Sequence, residues 1–207
     1  TSDWISLRHR LKSLMRTDSH ANANGEYFIR SLYFENFDGL ILHEKLDGLN
    51  HREKYRIRLY NHDPSTLRLE RKIKHNGMGR KESARLTPEQ CESLIAGDTA
   101  FVEETGNPLL SALKADMDIK QLRGGTVVDY VREAYVMDAG NVRVTLEREI
   151  RTGLARTDVL NPDLPTIPSL QPDLMVLEVK YDAYLPSVVA DAIQIGERRA
   201  TAVSKYA

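Results

Sequence analysis

The chain has 207 residues, of which 41% are hydrophobic and 29% charged, and its formal net charge is -1. This composition is typical of a soluble globular protein and excludes general disorder. Charged residues interrupt every apolar run before the roughly 20 residues that span a bilayer, and the lone Cys91 excludes an internal disulfide.

The length predicts a single domain over residues 1–207. The sequence has no initial Met and no apolar signal-peptide region, which indicates a fragment whose targeting information was cut away. A single cysteine favours a reducing compartment. We therefore expect a cytoplasmic location, or one on the cytoplasmic face of a membrane through segments outside this sequence.

Charge is unevenly distributed along the chain. From Lys45 to Lys81 there are eleven Lys or Arg against four acidic residues, a net charge of +7, and the remainder carries -8. A basic centre in an otherwise acidic protein indicates an anionic ligand. It does not indicate the uniformly basic surface of a general nucleic-acid binder.

The first half of the chain begins with an amphipathic helix predicted over residues 4–16, since apolar residues recur there at helical spacing. Period-two alternation then predicts strands over 27–34, 52–60 and 67–74. The last two strands are joined by a turn predicted over 62–65, so we expect them to form an antiparallel hairpin.

Two helices are predicted after the hairpin. The first is capped by Thr87, has Pro88 in its first position and ends before Gly97. The second begins at Asn107 and ends by Gly124.

The last third of the chain contains three more predicted strands, over 127–137, 142–150 and 174–181. Four prolines in 161–172 indicate an irregular connection. A final helix is predicted to begin near Pro186. Six or more strands with antiparallel connections and four helices indicate an α+β fold.

Each predicted strand has one charged and one apolar face, and on the strand over 52–60 the charged face is entirely cationic. Neighbouring cations on that face lie about 6.7 Å apart, and repel by about 0.6 kcal/mol in water and about 2.5 kcal/mol at an effective dielectric of 20. A face serving solubility alone would mix signs. A bound polyanion explains the row better, since Arg matches phosphate oxygens. The cations are Arg52, Lys54, Arg56 and Arg58.

Three carboxylates, on Glu70, Glu147 and Glu178, share these charged faces. They either form salt bridges with the neighbouring cations or help to hold Mg²⁺ or Mn²⁺ beside phosphates. Both interpretations remain open from the residues alone.

Several ordered segments resemble the VTC domain of polyphosphate polymerases, in the triphosphate tunnel (CYTH-like) superfamily. The resemblance covers nearly the whole chain, because the charged positions recur in sequence. The segments are IRSLYFEN (29–36), EKLDGLNHREKYRIRLY (44–60), LRLERKIK (67–74), Lys81, YVREAY (130–135), NVRVTLE (141–147), LEVKYDAYLP (177–186) and SKYA (204–207).

The resemblance implies an antiparallel β-barrel that forms a tunnel, with a charged lumen and helices packed outside. It implies transfer of the terminal phosphate of ATP to a growing polyphosphate chain, with release of ADP and dependence on Mn²⁺ or Mg²⁺. ATP and polyphosphate are the implied partners, with no nucleic acid. The implied phosphate ligands are Arg56, Arg58, Lys72, Lys81, Arg132, Arg143, Lys180 and Lys205, the weaker substrate contacts are Lys45, Tyr130 and Ser204, and the metal ligand is Glu178.

The sequence departs from the family pattern in two ways. The family begins with one more charged strand, which would precede Thr1, so we expect this domain to lack its first strand. Glu35 and Glu147 occupy positions where relatives commonly carry Asp. The change from Asp to Glu keeps the negative charge but lengthens the side chain.

Other functions remain open. Relatives of the same fold act as inorganic or nucleoside triphosphatases or as nucleotidyl cyclases, and these typically carry an N-terminal ExExK strand. A non-catalytic module that binds polyphosphate is a further alternative, as is a single-stranded nucleic-acid groove with aromatic residues beside cations. The acidic remainder of the chain argues against the groove.

Overall fold

The structure is a computed structural model and describes residues 2–36, 51–76, 78–171, 173–196 and 201. Helices and strands alternate irregularly along these ranges, with a short 3₁₀ turn at Ala139–Asn141. The elements are α1 (Ser2–Leu14), β1 (Arg16–Thr17), β2 (Glu26–Glu35), β3 (His51–Tyr60), β4 (Asp63–His75), β5 (Met78–Arg85), α2 (Pro88–Ala96), α3 (Val102–Thr105), α4 (Pro108–Ile119), β6 (Arg123–Met137), β7 (Val142–Thr152), β8 (Ile167–Pro168), β9 (Val176–Lys180) and α5 (Ser187–Ala192).

Helix α2 confirms the helix predicted after Thr87, and it is capped at both ends as the sequence indicates. The Thr87 hydroxyl accepts a hydrogen bond from the Gln90 amide at 3.2 Å, and the Gln90 side chain accepts one from the Thr87 amide at 3.0 Å. This reciprocal cap fixes the first turn. At the other end Gly97 has a φ of 83°, the left-handed conformation in which glycine ends a helix without strain.

The hairpin of β3 and β4 is confirmed, but its turn is earlier than the predicted 62–65. Asn61 and His62 have φ values of 52° and 56°, which is the two-residue turn that matches the twist of antiparallel strands. The Thr66 hydroxyl accepts a hydrogen bond from the Tyr60 amide at 2.8 Å. Strand β4 therefore starts at Asp63, although Pro64 favours a turn in the sequence.

The strands form a largely antiparallel sheet with the hydrogen-bonded order β5-β4-β3-β2-β6-β7-β8, and β1 pairs with β6 while β9 pairs with β7. Among the described residues this order is an open path and does not close into a barrel. The α+β class is thus confirmed. Strand β5 was not predicted, because its sequence MGRKESAR buries only Ala84 and shows no apolar alternation.

The described residues divide into two compact units. The α1 unit comprises described residues within 1–28, 130–150 and 168–205, and the hairpin unit comprises those within 29–129 and 151–167. The single domain over 1–207 stays a prediction. None of the described helices combines the length and the apolar run needed to cross a membrane.

Each unit has its own apolar core. In the hairpin unit, apolar residues of β2, β3 and β4 pack with α2 and α4, including Ile57, Leu69, Leu94 and Leu113. In the α1 unit, Leu11 of α1 and Val189 of α5 belong to the same buried cluster as Val144 of β7. These packed faces leave the opposite faces of the strands to the charged residues.

Candidate functional site

The hairpin unit gathers basic residues on one face of β3, β4 and β5, which we call the cation face. Cross-strand partners in an antiparallel pair lie on the same face, and the registers pair Lys54 with Lys72 and Lys72 with Lys81. Arg56 pairs with Glu70 in the same way. The cation face carries Arg52, Lys54, Arg56, Arg58, Arg68, Glu70, Lys72, Lys74, Lys81, Ser83 and Arg85.

Glu70 lies among three of the predicted phosphate ligands. Its Oε2 accepts from Arg56 Nε at 2.7 Å and lies 3.8 Å from Arg58 Nη1, while Lys81 Nζ contacts Oε1. The side chain of Glu70 is 4% exposed, whereas that of Lys81 is 55% exposed. The salt-bridge interpretation of Glu70 is therefore confirmed, and this carboxylate holds the three cations together.

The pKa of Glu70 follows from these contacts. Burial alone would raise the pKa of this carboxyl, but the charges of Arg56, Arg58 and Lys81 lower it to about 2. The group is therefore ionised across the physiological range. A buried anion here offsets part of the positive charge where a phosphate would bind.

Two tyrosines lie against the arginines of β3. The Arg56 guanidinium is 5.9 Å from the centre of the Tyr33 ring and donates to the Tyr33 hydroxyl at 3.3 Å. The Arg58 guanidinium is 5.9 Å from the Tyr60 ring and donates to Ser31 Oγ at 3.2 Å. These contacts restrict the arginine side chains and orient their forks.

The α1 unit places Arg132 against Glu147. Arg132 Nε donates to Glu147 Oε1 at 2.9 Å, and its Nη2 donates to the Tyr130 hydroxyl at 3.3 Å. Burial alone would lower the pKa of Arg132, but Tyr130 and Glu147 raise it, so the guanidinium stays charged. Glu147 therefore forms a salt bridge with a predicted phosphate ligand.

Arg143 on β7 contacts Asp18, which the sequence analysis missed. Its Nη2 donates to Asp18 Oδ2 at 2.6 Å and to the Tyr27 hydroxyl at 3.1 Å. Burial alone would raise the pKa of Asp18, but hydrogen bonds from His20 and the charge of Arg143 lower it. Asp18 lies 125 residues from Arg143 along the chain, so no local sequence pattern could pair the two.

Glu178 and Lys180 lie on β9, which pairs with β7. Lys180 Nζ is 3.3 Å from Glu178 Oε1, and both side chains are substantially exposed, at 62% and 37%. The register sets Lys180 opposite Arg143 and Glu178 opposite Thr145. Lys180, Arg143 and Glu178 therefore share one face, as the alternation of the sequence predicts.

The oxygen atoms near Glu178 fit a divalent cation that is shared with a phosphate ligand. The Thr145 hydroxyl is buried and makes no hydrogen bond to a described residue, and Glu147 lies on the same face, diagonally across from Glu178. The described ranges contain no group of three or more His, Cys, Asp or Glu that could hold a metal. Mg²⁺ is commonly held by one or two carboxylates together with substrate phosphates.

Three predicted site residues fall outside the described part of the chain, and nothing tests their roles. They are Lys45, Ser204 and Lys205. Tyr27, Ser31 and Tyr33 were also missed, although their spacing along β2 places them on one face. Alternation alone did not single them out, because tyrosine and serine are common on either face of a strand.

Three solved structures are similar to the chain at low sequence identity. A putative adenylate cyclase from Bacillus halodurans is 14% identical, with a TM-score of 0.45 over 72% of this chain and 67% of that chain. A putative adenylyl cyclase from Hippeastrum, described as having a dominant triphosphatase activity, is 14% identical, with a TM-score of 0.42 over 73% and 67%. A protein from Pyrococcus horikoshii is 9% identical, with a TM-score of 0.40 over 91% and 78%.

No curated protein matches the chain. The sequence model of the VTC domain, in contrast, matches residues 2–207. This match spans both units and all the charged strands described above. The chain therefore belongs to the VTC domain family.

Proposed function

We propose that this protein is a metal-dependent polyphosphate polymerase, which transfers the terminal phosphate of ATP to a growing polyphosphate chain and releases ADP. Membership of the VTC domain family supports a phosphate-related enzyme. The cation face of β3, β4 and β5 carries the proposal, because a face with a single carboxylate among so many Lys and Arg residues suits a ligand with several phosphates.

The chemistry needs positioning and charge neutralisation more than an acid–base pair. A terminal oxygen of polyphosphate attacks the γ-phosphorus of ATP and forms a new P–O–P link. The bond from that phosphorus to the β–γ bridging oxygen breaks, and ADP leaves with the electron pair. Guanidinium and ammonium groups fixed in advance stabilise the charge that moves between these oxygens.

Within this proposal, Arg56, Arg58, Lys72 and Lys81 bind phosphates on the hairpin unit. Their positions on one face and the fixed orientation of the arginines support that role. On the α1 unit the phosphate ligands are Arg132, Arg143 and Lys180. Lys205, Lys45, Tyr130 and Ser204 keep the roles that the family resemblance implies.

Glu178 is the proposed metal ligand, with Mg²⁺ or Mn²⁺ as the ion. Its carboxylate is exposed enough to meet a ligand, and the Thr145 hydroxyl lies on the opposing strand. When bound, the ion neutralises phosphate oxygens and aligns them for displacement. The cytoplasmic location belongs to the same proposal.

The proposal is tested by incubating the purified protein with ATP and Mn²⁺ or Mg²⁺, separating phosphate chains on a gel and quantifying ADP and free phosphate. We expect ADP together with a ladder of polyphosphate. Arg80→Ala, which removes an exposed cation from the opposite face of β5, should leave the ladder unchanged, whereas Lys72→Ala should weaken it.

Two results would replace the polymerase. ADP or AMP with only phosphate or pyrophosphate identifies a triphosphatase, in which water is the acceptor. Tight triphosphate binding without any turnover identifies a non-catalytic binding module.

A further inference from the structure

Three arginines lie side by side across the hairpin unit. The registers pair Arg58 of β3 with Arg68 of β4, and Arg68 with Arg85 of β5. We call these three residues the arginine row. Because cross-strand partners share a face, the row runs across the three strands on the cation face.

Arginines on the opposite face of the same strands have acidic partners. Arg71 Nη2 lies 2.6 Å from Glu53, and Arg80 Nη2 lies 2.8 Å from Glu82. Within the described ranges, Arg68 and Arg85 form no ion pair. The difference shows that facing like charges are a property of the cation face and not of this sheet as a whole.

Glu70, the one carboxylate among the described residues of the cation face, forms an ion pair with only one member of the row, Arg58. Glu70 is two residues from Arg68 along β4, and it contacts Arg56 and Lys81 closely while its distance to Arg58 Nη1 is 3.8 Å. Like charges placed directly opposite each other destabilise a pair of strands. An anion bound along the row would remove that penalty.

We propose that the arginine row is a second phosphate subsite, which binds a stretch of linear polyphosphate beyond the phosphates held at Lys72 and Lys81. Arg68 and Lys72 are four residues apart on β4, which is about 13 Å along a strand. One phosphate group cannot reach both the arginine row and Lys72, whereas a chain of condensed phosphates can. The choice of ligand rests on the proposed function.

The test compares binding of tripolyphosphate and of long-chain polyphosphate to the protein, each titrated at several salt concentrations. Arg68→Ala and Arg85→Ala together should weaken long-chain binding roughly tenfold and make its salt dependence shallower. Tripolyphosphate affinity should change by less than about twofold, because Lys72 and Lys81 still hold this shorter ligand. Each single substitution should give a smaller loss, and Arg→Lys variants should retain part of the affinity.

Arg80→Ala is the matched control, since it removes one guanidinium from the other face of β5. An equal loss of both ligands in the double variant would overturn the subsite, as would an unchanged affinity for long chains. The same weakening in Arg80→Ala would also overturn it, because the effect would then follow total charge. Thermal unfolding of each variant identifies a loss that comes from misfolding, and the single and Lys variants then decide the question.

This outcome is separable from that of the proposed function. Chain-length-dependent binding that requires Arg68 and Arg85, in a protein that releases no ADP from ATP, supports the subsite and overturns the polymerase. The opposite result is also possible to recognise. If the double variant still releases ADP, forms the polyphosphate ladder and binds long chains as the wild type does, the polymerase is supported and the subsite is overturned.

Discussion

Glu70 is an internal counter-ion for the cations that surround it. Arg56 and Arg58 are largely removed from water, so their charges would repel strongly if this carboxylate were neutral. In the proposed complex, a triphosphate bound at the same cations supplies negative charge of its own. The ionised carboxylate and the bound ligand would therefore stabilise the same cations. Loss of the carboxylate's charge should make the stabilisation by the ligand larger.

Replacing Glu70 by Gln should lower the free energy of unfolding by about 2 kcal/mol, because buried guanidinium groups lose their counter-ion and half-exposed Lys81 reduces the effect through solvent screening. Added tripolyphosphate should restore most of that stability. Urea unfolding with and without tripolyphosphate measures both effects.

Glu53→Gln provides the comparison for this prediction. Glu53 pairs with Arg71 on the opposite face of the same hairpin, so its loss should also destabilise the protein. Tripolyphosphate should not restore the stability that Glu53→Gln loses. Equal rescue of the two variants would show that the ligand stabilises the fold in general and that Glu70 has no special relation to the phosphate site.

Acid should expose the contribution of Glu70 through its pKa. The folded-state pKa of about 2 is below the ordinary value of 4.5, so the stabilisation is fully present above about pH 4.5 and is lost as the pH falls toward 2. The difference in unfolding free energy between the wild type and Glu70→Gln should therefore shrink by about 2 kcal/mol over that range. Urea unfolding between pH 5 and about 2 measures it, and a constant difference would contradict the assignment.

The connection between β6 and β7 depends on Gly140. This residue has a φ of 74°, and a Cβ there would lie 2.6 Å from the Tyr184 carbonyl oxygen. Gly140→Ala should therefore cost about 3 kcal/mol, of which about 1 kcal/mol is left-handed strain and the rest is steric overlap. Thermal or urea unfolding measures the loss.

Gly106→Ala separates those two contributions. Gly106 has a φ of 60°, and a Cβ there would have no neighbour within 4 Å. The substitution should cost only about 1 kcal/mol. If both alanine variants lost the same stability, the close approach of the Tyr184 carbonyl would have no energetic importance.

Elements with strong local signals could be predicted from the sequence, and the others could not. Helix α2 carries its cap in four residues, and β3 and β7 alternate clearly between apolar and charged positions. Strand β5 is a strand because it forms hydrogen bonds with β4, and no pattern within its own eight residues indicates this pairing. The short strands β1 and β8 have two residues each and show no periodicity at all.

The same distinction applies to the candidate site. Alternation is sufficient to place Arg56 and Arg58 on one face, since it is a local property, and the register of the hairpin adds Lys72 to that face. It cannot pair Arg143 with Asp18, which are 125 residues apart. Nor can it find the buried pair of Arg30 and Asp129, 99 residues apart, in which both guanidinium–carboxylate bonds are 2.8 Å long.

At the scale of the whole molecule, the net charge of -1 conceals two different arrangements. The cation face of the hairpin unit has one carboxylate among its Lys and Arg residues. On the α1 unit each arginine of the corresponding strands has an acidic partner, as Arg132 has Glu147 and Arg143 has Asp18. The first arrangement favours affinity for phosphates, and the second suits a site where a metal and a phosphate bind together.

This contrast predicts that phosphate affinity and metal-dependent turnover respond to different substitutions. Lys72→Ala or Arg143→Ala should weaken triphosphate binding by roughly tenfold, the loss of about one charge-assisted contact. Glu178→Ala should leave that binding within about threefold and abolish turnover, because the carboxylate acts through the metal. Calorimetric titration of tripolyphosphate without metal, beside ADP release from ATP with Mn²⁺, measures the two properties separately. An equal loss of binding and turnover in all three variants would contradict separate roles, since it would mean that Glu178 only supports the fold or the neighbouring Lys180.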